Sequence, residues 1–220
     1  MTLDQLLAEL KDEGFLKNPD HAAAMTAIDR ADFVPPALVS QAYLNIPLPI
    51  GHGQTISQPA TVAFMIKLLD PQPGDKILDI GSGSGWQTAI LAYLVNRPNN
   101  NAKQPKIIAL ELIPELCQQS KINLNKYDFL KNGAVTVRCQ NATKGFPPYA
   151  PYDKIIAAAS IVAHKTPLES IPPAWLDQLK PGGVIVTPIN HSIYKFTKKS
   201  GGAFTEKEYS GFVFVPFQNS

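Results

Sequence analysis

The 220-residue chain predicts an α/β fold, a mostly parallel seven-stranded sheet with helices on both faces and a helical cap at the N-terminus. Three observations carry this expectation. Short apolar runs alternate with helix-length segments from residue 76 to residue 187, the pattern of a parallel sheet wound through crossover helices. A glycine-rich turn, Gly81-Ser82-Gly83-Ser84-Gly85, joins the first of these strands to the following helix. Towards the C-terminus two apolar runs flank a polar turn, as in a closing antiparallel pair.

Each element has its own reason. In residues 3–15, Leu3, Leu6, Leu7 and Leu10 recur at helical spacing and Gly14 supplies the stop. Pro19 opens a second helix over 19–29, with Ala22, Met25 and Ile28 on one face. Residues 43–59 hold Pro47, Pro49, Gly51, Gly53 and Pro59 and read as a loop. Residues 60–69 return to helix. Strands are expected at 76–80, 107–112, 135–138, 154–159 and 183–187, with helices at 86–95, 114–126 and 172–179 between them. Residues 96–106 read as an inserted polar loop, and 161–170 as a long loop after the fourth strand. Residues 194–197 and 212–217, on either side of Lys198-Lys199-Ser200-Gly201-Gly202, form the expected closing pair. The chain reads as a single domain, with 1–59 as cap and loop and 60–220 as the core.

Composition narrows the function classes. The apolar share of 45% and the charged share of 17% describe a folded chain rather than a charge-driven disordered one. A net charge of +2 argues against a strong nucleic-acid or membrane-surface binder. The N-terminal MTLDQLLAEL lacks the basic start and apolar run of a secretory signal, and no stretch is long and apolar enough to span a membrane, so a cytoplasmic protein is expected. A monomer is the separate expectation for its assembly. Cys117 and Cys139 fall in an expected buried helix and strand and are read as reduced and inert. The four histidines, His21, His52, His164 and His191, are scattered without a ligand-spaced companion, so no metal site is expected.

The chemistry concentrates around the glycine turn. Its spacing is neither the dinucleotide fingerprint nor the phosphate loop, which needs a following Lys. Asp79, just before it, would repel phosphates and suit a ligand bearing an ammonium group and hydroxyls. Glu111 closes the second strand, where a carboxylate can accept two hydrogen bonds from a ribose diol. A ligand-free turn and a solvated acid at a helix start are the plain alternatives for these two features. Together, Asp79, Gly81, Ser82, Gly83, Ser84, Gly85 and Glu111 resemble the S-adenosylmethionine site of Rossmann-like methyltransferases.

A more specific likeness lies upstream. The run Pro47-Leu48-Pro49-Ile50-Gly51-His52-Gly53-Gln54-Thr55-Ile56-Ser57-Gln58-Pro59 resembles the loop of the protein-L-isoaspartate (D-aspartate) O-methyltransferases. So do Phe33-Val34-Pro35, Ala42-Tyr43, residues 78–92, Ala150 to Ile156, Gln178 to Gly183 and Phe214-Val215-Pro216. The resemblance implies a Rossmann-like, S-adenosylmethionine-dependent repair enzyme. Such an enzyme methylates the free carboxylate of L-isoaspartyl residues, with D-aspartyl as a further substrate, in damaged proteins and peptides. The ester then closes to a succinimide, which reopens in part to normal aspartate. By the same resemblance Ser57 is the active-site hydroxyl, and Thr55, Ile56 and Gln58 flank it beside the cofactor. His52 and Gln54 belong to the substrate groove. Asn141-Ala142 stands where the family carries an Asp-Gly pair at the adenine edge. A helix N-cap is the other role open to Ser57. Two other functions stay open at this stage: a degenerate module that binds cofactor or partner without catalysis, and a methyltransferase for small-molecule carboxylates.

Overall fold

The computed structural model describes residues 1–96, 107–163 and 165–218. The expected inserted loop lies, from residue 97 onward, outside the described residues, as does His164. Two helices open the chain, α1 (Leu3–Asp12) and α2 (Pro19–Ala27). Thr2 caps α1 reciprocally: its hydroxyl accepts from the Gln5 N–H at 3.3 Å, and its own N–H donates to Gln5 Oε1 at 2.8 Å. A short hairpin follows, β1 (Leu48–Gly51) and β2 (Gln54–Ile56), and then α3 (Pro59–Leu69). The hairpin corrects the loop expected over 43–59. Its turn puts Gly51, His52 and Gly53 at φ of 92°, 54° and 70°, so the chain reverses there and Leu48, Pro49 and Gly51 pair with Ile56, Thr55 and Gln54.

The main sheet comprises β3 (Ile77–Ile80), β4 (Ile107–Glu111), β5 (Val135–Cys139), β6 (Tyr152–Ala157), β7 (Leu179–Ile189), β8 (Ser192–Lys198) and β9 (Phe204–Ser210). Helix α4 (Trp86–Val95) joins β3 to β4, and α5 (Pro114–Asn125) joins β4 to β5. The short helices α6 (Pro167–Ser170) and α7 (Pro173–Gln178) lie between β6 and β7, so the loop expected at 161–170 ends in a helical turn. The spatial order is β5-β4-β3-β6-β7-β8-β9, parallel from β5 to β7 and antiparallel at β8 and β9. The sheet is thus the mostly parallel, seven-stranded Rossmann-like one expected. Ile77, Leu78 and Ile80 of β3 and Ile107 to Leu110 of β4 are fully buried, because helices cover both faces. Among the described residues no helix is long and apolar enough to cross a membrane.

Two further expectations fail. The partner of β8 is β9, not residues 212–217. Strand β9 lies on the sheet edge, and Thr205, Glu206, Lys207 and Glu208 in it are exposed, so no apolar run marks it. The apolar 212–217 segment instead runs beside β6's end: the Ser160 N–H donates to the Val215 carbonyl and the Phe217 N–H to the Ser160 carbonyl, each at 2.8 Å. The cysteines are not reduced either. Cys117 and Cys139 form a disulfide with a Cα–Cα distance of 5.6 Å, and Cys139 is exposed rather than buried. Helix α5 packs back along β5, which brings the first turns of the helix level with the strand's end.

Candidate active site

In an open parallel sheet the crevice forms beyond the carboxyl ends of the strands, where the strand order reverses. Here β4 lies on one side of β3 and β6 on the other. The loops after β3, β4, β5 and β6 therefore surround one cleft of about 860 Å³, solvent at its mouth included.

The glycine turn forms its floor. Gly81, Gly83 and Gly85 have φ of 73°, 54° and 93°, values that side chains disfavour. A Cβ at Gly83 would stand 3.2 Å from Ile50 Cδ1, and one at Gly85 would stand 3.3 Å from both Leu124 and Ser120. The turn is tied to its neighbours. The Gly81 N–H donates to the Leu110 carbonyl at 2.8 Å, and Asn123 Nδ2 donates to the Ser84 carbonyl at 2.9 Å.

Glu111 ends β4 and is a buried residue on the cleft wall. Oε2 accepts from the Gly83 N–H at 2.8 Å and Oε1 from the Ile113 N–H at 2.9 Å. Each oxygen keeps a second acceptor position, because a carboxylate oxygen takes about two hydrogen bonds. Ser82 Oγ is buried on the cleft wall with no hydrogen-bond partner among the described residues. A ligand bearing hydroxyls fits this donor and acceptor set.

Asp79 plays a different part from the one expected. It is completely buried and is not among the cleft-lining residues. Its two oxygens accept from Gln87 Nε2 at 2.9 Å and Thr88 Oγ1 at 2.6 Å, which pins the first turn of α4 to β3. Burial pushes its carboxyl up to about 6, and the charge of Glu111 adds to the rise, against the two hydrogen bonds.

The other expected residues divide similarly. Gln54, Thr55, Ile56, Ser57, Gly81, Ser82, Gly83, Ser84, Glu111 and Ala142 line the cleft. Gln58, His52, Gly85 and Asn141 are absent from the lining. His52 is exposed at the tip of the β1–β2 hairpin. Gln58 occupies the N-cap position of α3 and makes no side-chain cap bond, so helix capping is not the role of Ser57. Asn141 Oδ1 accepts from the Thr143 N–H at 2.7 Å, a local turn that leaves Gln140 and Ala142 on the wall. Reasoning from the sequence missed Trp86, Leu112, Leu116 and Ala158. They are apolar residues whose types say nothing of a cavity until the strand ends converge.

A family model described as Protein-L-isoaspartate(D-aspartate) O-methyltransferase (PCMT) matches residues 1–220. A protein-L-isoaspartate O-methyltransferase of Methanopyrus kandleri is 38% identical over 217 residues, covering 97% of this chain and 89% of that one. One from Ignicoccus hospitalis is 37% identical over 217 residues, covering 96% and 95%. In fold, the chain is similar to a Plasmodium falciparum protein assigned as a protein-L-isoaspartate O-methyltransferase and crystallised with S-adenosyl-L-homocysteine. The TM-score is 0.84 at 26% identity, over 98% of both chains. Along its whole length, and with the cleft at the strand ends that its sheet order dictates, this chain belongs to the protein-L-isoaspartate(D-aspartate) O-methyltransferase family.

Proposed function

We propose that this cleft is where the chain carries out its family's reaction, with Ser57 holding the acceptor carboxylate and the Gly81–Gly85 turn and Glu111 holding the methyl donor. The enzyme is an S-adenosylmethionine-dependent protein carboxyl O-methyltransferase acting on isoaspartyl residues. The assignment of roles rests on one observation: Thr55, Ile56 and Ser57 share a cleft with the glycine turn and Glu111.

S-adenosylmethionine, when bound, supplies a methyl group on a positively charged sulfur. The residues present fit it. Glu111 has free acceptor positions for ribose hydroxyls, Ser82 Oγ is an unpartnered polar atom on the wall, and the glycines allow close backbone approach. Leu112, Ile113, Leu116 and Ala142 offer an apolar slot for a flat base. The acceptor carboxylate is already ionised at neutral pH, so the chain needs no general base. Its task is to align the carboxylate and strip water from it. The Ser57 hydroxyl can donate to one carboxylate oxygen and leave the other free. Both walls come from a single chain, which supports a monomer as the acting unit. The D-aspartyl substrate named in the family description belongs to the same reading.

The test is radiolabelled methyl transfer to an isoaspartyl peptide and to its aspartyl isomer. Strong preference for the isoaspartyl form is expected; equal labelling would overturn the reading. In the same assay Ser57→Ala should lower kcat on the order of a hundredfold, as loss of alignment does. Affinity for S-adenosylhomocysteine should change little, since the hydroxyl serves the acceptor side. Equal losses in both would refute the role given to Ser57.

A further inference from the structure

Arg30 is a charged residue in an unusual place. It opens a short 3-10 helix, Arg30–Phe33, after α2, and only 1% of it is exposed. Every hydrogen bond described for its guanidinium goes to a backbone carbonyl. Nη1 donates to Ala42 at 2.8 Å and Leu44 at 3.3 Å. Nη2 donates to Ile46 at 3.0 Å, Ser57 at 3.1 Å and, at 3.5 Å, Ile56. The remaining donor, Nε, has no partner among the described residues. The guanidinium carbon lies 5.3 Å from the centre of the Trp86 ring, and Trp86 is both the first residue of α4 and part of the cleft wall.

A buried charge of this kind is expensive, and an apolar side chain would fill the space at lower cost. What the guanidinium does that an apolar group cannot is gather five carbonyls spread over residues 42–57 to a single point. The last two belong to Ile56 and Ser57, at the cleft. Arg30 thus stands between the segment carrying Ser57 and the helix that begins at the glycine turn.

We propose that Arg30 is a positioning residue for methyl transfer: by clamping the carbonyls of Ile56 and Ser57 it sets the distance between the Ser57 hydroxyl and the Gly81–Gly85 turn. It touches neither substrate nor donor and acts through the loop. The proposal rests on the role given above to Ser57. It places the consequence of losing Arg30 in turnover rather than in donor binding, because no described bond of the guanidinium reaches Glu111 or the glycine turn. Asn45 is a second tie on the same segment, with its Oδ1 accepting from the Ala60 N–H at 3.0 Å. The segment therefore keeps an anchor when the clamp is removed.

The experiment compares full-length wild type, Arg30→Met and Arg30→Lys. Methionine keeps an apolar stem against Trp86 and removes the donors; lysine keeps the charge but offers a compact ammonium in place of the fork. Readouts are kcat and KM with an isoaspartyl peptide, S-adenosylhomocysteine affinity by calorimetry, and a thermal melt. Expected for Arg30→Met is a fall in kcat on the order of tenfold or more, with S-adenosylhomocysteine affinity within about threefold of wild type. Arg30→Lys should recover part of the lost turnover. Unchanged kcat in a folded Arg30→Met, or a loss of donor affinity matching the loss in kcat, overturns the proposal. If Arg30→Met does not fold, Arg30→Lys decides: reduced kcat at wild-type donor affinity supports the clamp, and wild-type kcat overturns it. Failure of the underlying reading looks different, since wild type itself would then not favour the isoaspartyl peptide, or Ser57→Ala would turn over normally.

Discussion

Asp79 illustrates how one carboxylate at a strand end can serve the scaffold while its neighbour serves the cleft. Glu111 is held by two backbone N–H groups and lines the cleft, whereas Asp79 is completely buried away from it and accepts from Gln87 and Thr88 of α4. Burial raises the Asp79 carboxyl from 3.8 to about 6. The sign of the consequence follows from linkage. Between these values the native chain holds a proton that the unfolded chain has released, so stability falls as pH rises through the window and is regained on acidification. A rise of that size corresponds to about 3 kcal/mol. Urea melts of wild type and Asp79→Asn should show wild type losing up to about 3 kcal/mol relative to the variant between about pH 4 and about pH 7. A difference that stays flat across that range would mean the carboxyl does not titrate there.

At the scale of elements, the disulfide and the edge strand show where local reading stops. The types of Cys117 and Cys139 imply nothing about pairing, and the expected cytoplasmic setting favours reduced thiols. Pairing arises because α5 returns antiparallel to the strands it connects, which sets two residues 22 apart in sequence at bonding distance. Closing a loop of that length is worth about 3 kcal/mol in the chain-entropy account. Cys139→Ser should lower stability by about that amount relative to the oxidised protein, measured by denaturant unfolding. Identical midpoints with and without a thiol reductant would show that the bond does not form in solution. Strand β9 was hidden for another reason. Solvent-facing Glu206, Lys207 and Glu208 need no apolar alternation to pair through the backbone with β8.

On the scale of the whole molecule, the last described residues complete the cleft rather than the sheet. Val215 to Gln218 lie on its wall, and Phe217 meets the Trp175 ring edge-on at 5.6 Å. The segment is joined to β6's end through Ser160 and adds no strand to the seven. Truncation after Val213 should therefore leave the circular-dichroism signature of the sheet intact. Affinity for S-adenosylhomocysteine should drop on the order of tenfold, a change of about 1.4 kcal/mol. Undiminished affinity in a folded truncated chain would place the segment outside the site.

The parallel core was legible in the sequence because β3, β4 and β6 are buried on both faces, and burial on both faces leaves continuous apolar runs. The glycine turn and Glu111 were legible because left-handed backbone demands glycine and because a carboxylate closes an otherwise apolar strand. Local chemistry is written in residue type. The convergence of residues distant in sequence is not. Whether Asp79 faces the cleft or α4, whether Ser57 caps a helix or lines a wall, and which carbonyls Arg30 gathers all depend on how segments cross in space. The order of the strands brings the loops after β3, β4, β5 and β6 to one edge, and the packing of residues 30–57 against that edge and against Trp86 decided the rest.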